Sequence, residues 1–140
     1  MTTISVPLSL SSDLLTGAEW GPKQVGELYK LAGNVKAHPE QYRTALDGRS
    51  LALILEKPSL RTRVSFEVGM RSLGGAAVFL DHTVSRLGER ESIPDVARNL
   101  SRWVQGIVAR VFEQRELELL AQYANIPVIN GGFRCASRRS

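Results

Sequence analysis

The sequence predicts an α/β fold, an open parallel four-stranded sheet with helices on both faces. From residue 51 to residue 130, short apolar runs of strand length alternate with amphipathic stretches of helix length, and a single helical stretch separates each run from the next. Strands joined through one helix run parallel with right-handed crossovers, so the helices come to cover both faces of the sheet. The length of 140 residues suits one domain around one core. Ligands of such sheets bind beyond the carboxyl ends of the strands.

Thr16 and Glu19 stand three apart, as a capping box requires, and Trp20, Val25, Leu28, Leu31 and Ala32 follow at roughly helical spacing. Residues 17–36 therefore read as a helix. His38-Pro39-Glu40 interrupts it, a short helix runs on to Ala45, and Asp47-Gly48 turns the chain into the apolar run Leu51 to Leu55, a buried strand. Beyond it, 60–73 reads as helix, Gly74-Gly75 as a turn, 76–80 as strand, 92–104 as helix, 106–112 as strand, 114–124 as helix and 126–130 as strand. Ser92 and Asp95 form an S-x-x-D box at the start of the helix 92–104, with Pro94 tolerated in its first turn. Its inner face reads as Val96, Leu100 and Trp103, which places Trp103 in the core. Composition changes abruptly after Asn130, so residues 1–130 are read as the domain and 131–140 as a disordered tail.

A hydrophobic fraction of 43% and a charged fraction of 23% belong to a folded globular protein. No apolar run approaches the ~20 residues that span a bilayer, and MTTISVPLSL lacks the basic-then-apolar order of a secretory signal. The cytoplasm is the expected location, with no membrane partner. The net charge of +4 is concentrated at one end: the last ten residues hold Arg134, Arg138 and Arg139 and no acid, and taking these three from the 18 Lys and Arg leaves 15 bases against 14 acids in residues 1–130. A nearly neutral body with no basic stripe flanked by aromatics is not that of a nucleic-acid binder. Cys135 is the only cysteine, so there is neither a disulfide framework nor a thiolate cluster. His38 and His82 lack metal-ligand spacing and read as surface or capping residues; no metal and no cofactor is expected.

The chemistry is concentrated in EKPSLRTRVSFE, Glu56 to Glu67, between the buried strand 51–55 and the helix that follows. A strand-to-helix junction turns free backbone N–H groups and the positive end of a helix dipole toward one spot, which favours an anion. Ser59 and Thr62 add hydroxyl donors, and Arg61 adds a planar guanidinium able to hold two phosphate oxygens at once. The same residues also make a well-capped helix, with Ser59 as the cap and Arg61 and Arg63 as solvated charges. The glycines of a P-loop or a dinucleotide fingerprint are absent. From the residues alone both readings stand.

The whole stretch resembles the signature of the aspartate and ornithine carbamoyltransferase family, in which PSxRTR binds carbamoyl phosphate. Asp13-Leu14-Leu15, LGG at 73–75, LGERESIPDVARNLSRW at 87–103, Arg110 and IPVING at 126–131 resemble the family in order and spacing. Glu56-Lys57 and the ES-x-x-D-x-A-R segment at 91–98 are more similar to the ornithine enzymes than to the aspartate ones. Leu60 stands where threonine is most common, a replacement shared with relatives that use modified ornithines. The resemblance implies the first domain of that fold. It also implies that Ser59, the N–H of Leu60, Arg61 and Thr62 hold the phosphate, that the Thr62 hydroxyl lies near the carbonyl oxygen, and that Arg110 reaches both groups. Arg61, Thr62 and Arg110 are thereby the implied catalytic residues. Family members are homotrimers in which a loop from a neighbouring subunit adds a polar side chain to the site; the matching position is Arg86, usually glutamine in ornithine enzymes.

The reaction so implied is acyl transfer. The neutral δ-amine of ornithine attacks the carbonyl carbon of carbamoyl phosphate, negative charge builds on the carbonyl oxygen, and phosphate leaves to give citrulline. Fixed donors supply most of the catalysis, without a metal or a nucleophilic side chain. After IPVING the family continues to an HPxQ motif and a second domain that binds the amino acid, whereas here GFRCASRRS follows. The chain alone is therefore expected to be inactive, with ornithine a partner only where a second domain is present. Alternatives are a carbamoyltransferase for acetylornithine, putrescine or aspartate, and a non-catalytic anion-binding fragment.

Overall fold

The computed structural model describes residues 13–132, in the order α1 (Pro22–Ala37), a 3-10 turn (Pro39–Tyr42), β1 (Ser50–Leu55), α2 (Leu60–Ser72), β2 (Ala76–Asp81), α3 (Ile93–Trp103), β3 (Gly106–Arg110), α4 (Gln114–Tyr123) and β4 (Val128–Asn130). The absence of a secretory signal read from the first ten residues falls outside the described residues, and of the tail read as disordered, 131–140, only Gly131 and Gly132 are described, Gly131 N donating to the Ala109 carbonyl at 2.9 Å. Every residue of β1 after Ser50 is buried, and a strand with no polar face belongs in the middle of a sheet covered on both sides. It pairs in parallel with β2 on one edge and β3 on the other, giving the order β2-β1-β3-β4.

The two-residue period of the strands divides the core into two layers. Leu51, Leu53, Leu55 and Val108 pack against Phe66 and Met70 of α2. On the opposite face Ala52, Ile54, Ile107, Ala109 and Val128 pack against Ala97 and Leu100 of α3 and Leu117 and Leu120 of α4. The expected parallel sheet with helices on both faces is thus the fold. Gly74 joins α2 to β2 at φ +87°, and a Cβ there would run into the Asp47 carboxylate and lie 2.6 Å from the Arg43 carbonyl oxygen. At the far edge Leu14 bridges to Ile129, its N–H donating to the Val128 carbonyl at 2.9 Å, while Asp13 Oδ1 accepts from Val128 N at 2.8 Å. No helix among the described residues is long and apolar enough to cross a membrane.

Several elements differ from their expected bounds. The first helix begins at Pro22, not at residue 17, because Gly17 adopts φ +89° and the Glu19 carboxylate accepts from the N–H groups of Leu15, Thr16 and Gly17 in a turn ahead of the helix. The box that starts the helix is Gly21 with Gln24, the Gly21 N–H donating to Gln24 Oε1 at 2.8 Å with Pro22 at the first helical position. The short helix toward Ala45 is only the 3-10 turn ending at Tyr42. The third strand ends at Arg110, where Val111 and Phe112 turn away, and the fourth is assigned from Val128, just after Pro127, which has no N–H to give.

Trp103 is 69% exposed and is not a core residue. The inner face of α3 is centred on Ala97 and Leu100, continued by Val104, and Trp103 lies about 90° around the helix from that centre. Of the two histidines, His38 stands at the C-terminal end of α1, and His82 Nδ1 lies 2.9 Å from the Ser85 carbonyl oxygen.

Candidate phosphate-binding site

From β1 the chain moves outward to β2, then returns past β1 to β3 and β4, so its course reverses between β1 and β3. In an open parallel sheet the crevice at such a reversal, beyond the carboxyl ends of the strands, is the natural ligand site. Ser59 and the first turn of α2 lie there beside Arg110 at the end of β3.

Ser59 has the extended backbone of an N-cap, φ −154° and ψ 100°, and its Oγ accepts from Thr62 N at 3.3 Å. The Ser59 carbonyl accepts from Arg63 N at 3.0 Å. The N–H groups of Leu60 and Arg61 come before the first intrahelical donor, Arg63 N, and take no acceptor among the described residues. The Ser59 hydroxyl lies 2.9 Å from Thr62 Oγ1, and Arg110 Nη1 donates to the same Thr62 oxygen at 3.3 Å. Residues 48 apart in sequence are thereby joined. Arg110 Nε is buried and has no hydrogen-bond partner among the described residues, an unusual state for a guanidinium nitrogen. Gly132 permits this packing, since a Cβ at that position would lie 2.9 Å from Arg110 Cγ.

Ser59, Thr62 and Arg110 are therefore brought together as expected. Leu60 is 78% exposed, and Arg61 is exposed in the first turn without a hydrogen bond or ion pair among the described residues. Arg63 follows the solvated reading, paired with Glu67 at 3.1 Å and lying over the Phe79 ring at 3.8 Å. A neighbouring hollow of about 260 Å³ on the β2 side is lined by Ser59, Arg63 and Asp81 but not by Thr62 or Arg110, and the Asp81 carboxylate makes it a poor place for an anion. No group of three His, Cys, Asp or Glu among the described residues is placed to hold a metal.

Arg86 lies with its own chain. Its Nε is 3.5 Å from Glu56 Oε2, and its Nη2 is 3.2 Å from Glu116 Oε1 and 3.8 Å from Glu113 Oε1. Glu56, only 2% exposed, accepts from Leu87 N at 3.0 Å and from Phe112 N at 2.9 Å, so one carboxylate ties the loops after β2 and β3 to the end of β1. Burial pushes Glu56 upward, but hydrogen bonds from Glu116, Phe112 and Leu87, with Arg86 nearby, outweigh it and hold the carboxyl below its ordinary value. Sequence reasoning used Glu56 only as a mark of resemblance and did not single out Glu116. The available signal was a carboxylate placed directly after five buried residues.

Fold and site together define a doubly wound α/β domain that gathers hydroxyl and guanidinium donors at a helix start. The chain belongs to the aspartate/ornithine carbamoyltransferase family: residues 12–136 match its carbamoyl-P binding domain. An ornithine carbamoyltransferase of Thermus thermophilus is 50% identical over 124 residues, covering 88% of this chain and 40% of the relative. The crystal structure of ornithine carbamoyltransferase from Thermus thermophilus superposes with a TM-score of 0.79 at 50% identity, over 87% of this chain and 42% of that one. The ornithine carbamoyltransferase from Pyrococcus furiosus gives 0.83 at 42% identity, over 89% and 41%. The chain thus spans about two-fifths of the length of these relatives.

Proposed function

We propose that this domain binds carbamoyl phosphate at the start of α2 and, within a complete enzyme, offers its carbonyl to the δ-amine of ornithine. The observation that carries the reading is the Ser59–Thr62–Arg110 cluster, in which the buried Arg110 Nε and, beside it, the N–H groups of Leu60 and Arg61 have no partner among the described residues. The phosphate takes the two N–H groups, the Ser59 and Thr62 hydroxyls and the Arg61 guanidinium. Arg110 spans phosphate and carbonyl oxygen, and the Thr62 hydroxyl faces the carbonyl. As the amine attacks, charge grows on the carbonyl oxygen and on the departing phosphate, where fixed donors stabilise it most. The proton lost by the amine passes to phosphate or solvent.

Residues 1–130 form the carbamoyl-phosphate-binding unit in this reading, and 131–140 lie outside it. In this reading these residues bind the donor, and turnover further requires the HPxQ motif and the amino-acid-binding domain of a complete enzyme. In a homotrimer Arg86 would reach a neighbouring site only by leaving Glu56 and Glu116. Leu60, in place of the commoner threonine, keeps acetylornithine as the competing acceptor. The direct test is titration of the ¹⁵N-labelled chain with carbamoyl phosphate and with inorganic phosphate. Amide shifts should centre on Ser59 to Thr62, and shifts confined to the arginines of residues 133–140 would sink the proposal.

A further inference from the structure

The loops after β1, β2 and β3 meet over two acidic side chains that the phosphate site does not use. Glu56 comes from the end of β1, Glu116 from the first turn of α4, and Arg86 from the loop 82–91; its guanidinium contacts both carboxylates, at 3.5 Å and 3.2 Å. Glu113, mostly exposed, adds a third negative charge 3.8 Å from Arg86. Phe112 carries Lys57 Nζ at 4.8 Å and the Arg86 guanidinium at 5.1 Å from its ring centre. Arg110 enters through its backbone, its carbonyl accepting from Glu56 N at 2.9 Å, while its guanidinium turns to Thr62.

We infer that Glu56 and Glu116 share one proton, and that withdrawal of Arg86 from this pair is coupled to uptake of a proton from solvent by Glu116. Both oxygens of Glu56 already accept backbone N–H groups, Oε1 from Phe112 and Oε2 from Leu87, so Glu56 is the member fixed as the anion. Glu116 Oε1 meets Arg86, but its Oε2 is buried with no donor facing it among the described residues. A bare carboxylate oxygen in that position is costly, whereas a protonated carboxyl becomes a donor, and the Glu56 carboxylate, held by the same Arg86 guanidinium, is the acceptor beside it. Two carboxylates this close do not ionise independently. Burial, and after it the Glu56 side chain, push Glu116 up to about 7.

The direction of coupling follows from charge. With Glu116 protonated, Arg86 balances Glu56 alone; with Glu116 ionised, the guanidinium bridges two anions and is held more tightly. By linkage, removing Arg86 makes the second ionisation harder and draws in a proton. Loop 82–91, whose Leu87 N–H is bonded to Glu56, is thus fastened to its own chain on the alkaline side of neutrality and loosened on the acid side. Neither carboxylate belongs to the phosphate site, and the test uses no phosphate ligand.

The experiment is a ¹³C side-chain carboxyl titration of the 140-residue chain from pH 4 to pH 9. One of the two carboxyls should titrate near 7 and the other below its ordinary value. Glu116→Gln should remove the upper transition, and Arg86→Ala should raise its midpoint by about one pH unit, a tenfold change in proton affinity. In the unsubstituted chain, exchange of the Arg86 Nε–H, corrected for its intrinsic pH dependence, should slow as the pH rises through 7. Titration of both carboxyls below pH 5 would overturn the inference. So would exchange at Arg86 that ignores pH, a result that stands even where the Arg86 variant fails to fold.

Discussion

At the scale of single residues, the Thr62 hydroxyl is the centre of the proposed site, because it joins Ser59 and Arg110 across the reversal of the chain. Thr62→Val keeps the shape and removes the oxygen. Phosphate affinity measured by calorimetry should fall by about tenfold to a hundredfold, the range expected for a hydrogen bond to a charged group, with the urea midpoint little changed. Arg61→Ala, placed in a complete enzyme carrying this domain, should lower kcat/KM by several orders of magnitude without disturbing the fold. A loss smaller than about tenfold would return Arg61 to the role of a solvated surface charge. Ser59, Arg61 and Thr62 were legible because they are adjacent in sequence. Arg110 was reached through resemblance alone, and Glu56 with Glu116 escaped because nothing local indicates which distant groups a buried acid will meet.

At the scale of elements, the alternation of apolar runs with amphipathic stretches read correctly for all four strands and for α2, α3 and α4. Errors fell where a local signal has two uses. The Thr16 and Glu19 pattern produces the expected hydrogen bonds but closes a turn, since Gly17 leaves the helical region immediately after Thr16. Trp103 satisfies a helical spacing yet sits on the flank of its helix, because spacing fixes a face only to within a quarter turn when the stripe is short. Gly74 offers a clean test at this scale. Gly74→Ala must hold a side chain at φ +87° against Asp47 and the Arg43 carbonyl, and should lower the urea-derived stability by about 2 kcal/mol or more. Ser92→Ala, which removes the hydroxyl that accepts from Asp95 N at the start of α3, should cost about 1 kcal/mol in the same assay.

For the whole molecule, the coupled acids predict how stability varies with pH. Glu116 is raised in the fold from an ordinary value of 4.5 to about 7, so the folded chain holds more protons than the unfolded one in that window, and this group's contribution falls as pH rises from 4.5 to 7. Glu56 is lowered, so its contribution is present above 4.5 and is lost as pH falls below it. Stability of the unsubstituted chain relative to Glu116→Gln should therefore decline between pH 4.5 and 7 and stay level above, as followed by urea denaturation at each pH. A parallel pair of curves would remove Glu116 from the set of groups linked to folding. Sheet order and layering were open to sequence reasoning because single-helix crossovers leave few alternatives.

The position of Glu56 also sets an order of events in time. Its two amide partners lie 31 and 56 residues further along the chain, one past β2 and the other past β3, so each bond closes a long loop onto the end of β1. Contacts of such long sequence separation are late to form during folding. Glu56→Gln should leave the refolding rate of the domain nearly unchanged and speed its unfolding, so that the loops carrying Arg86 and Phe112 are the last parts to arrive and the first to leave.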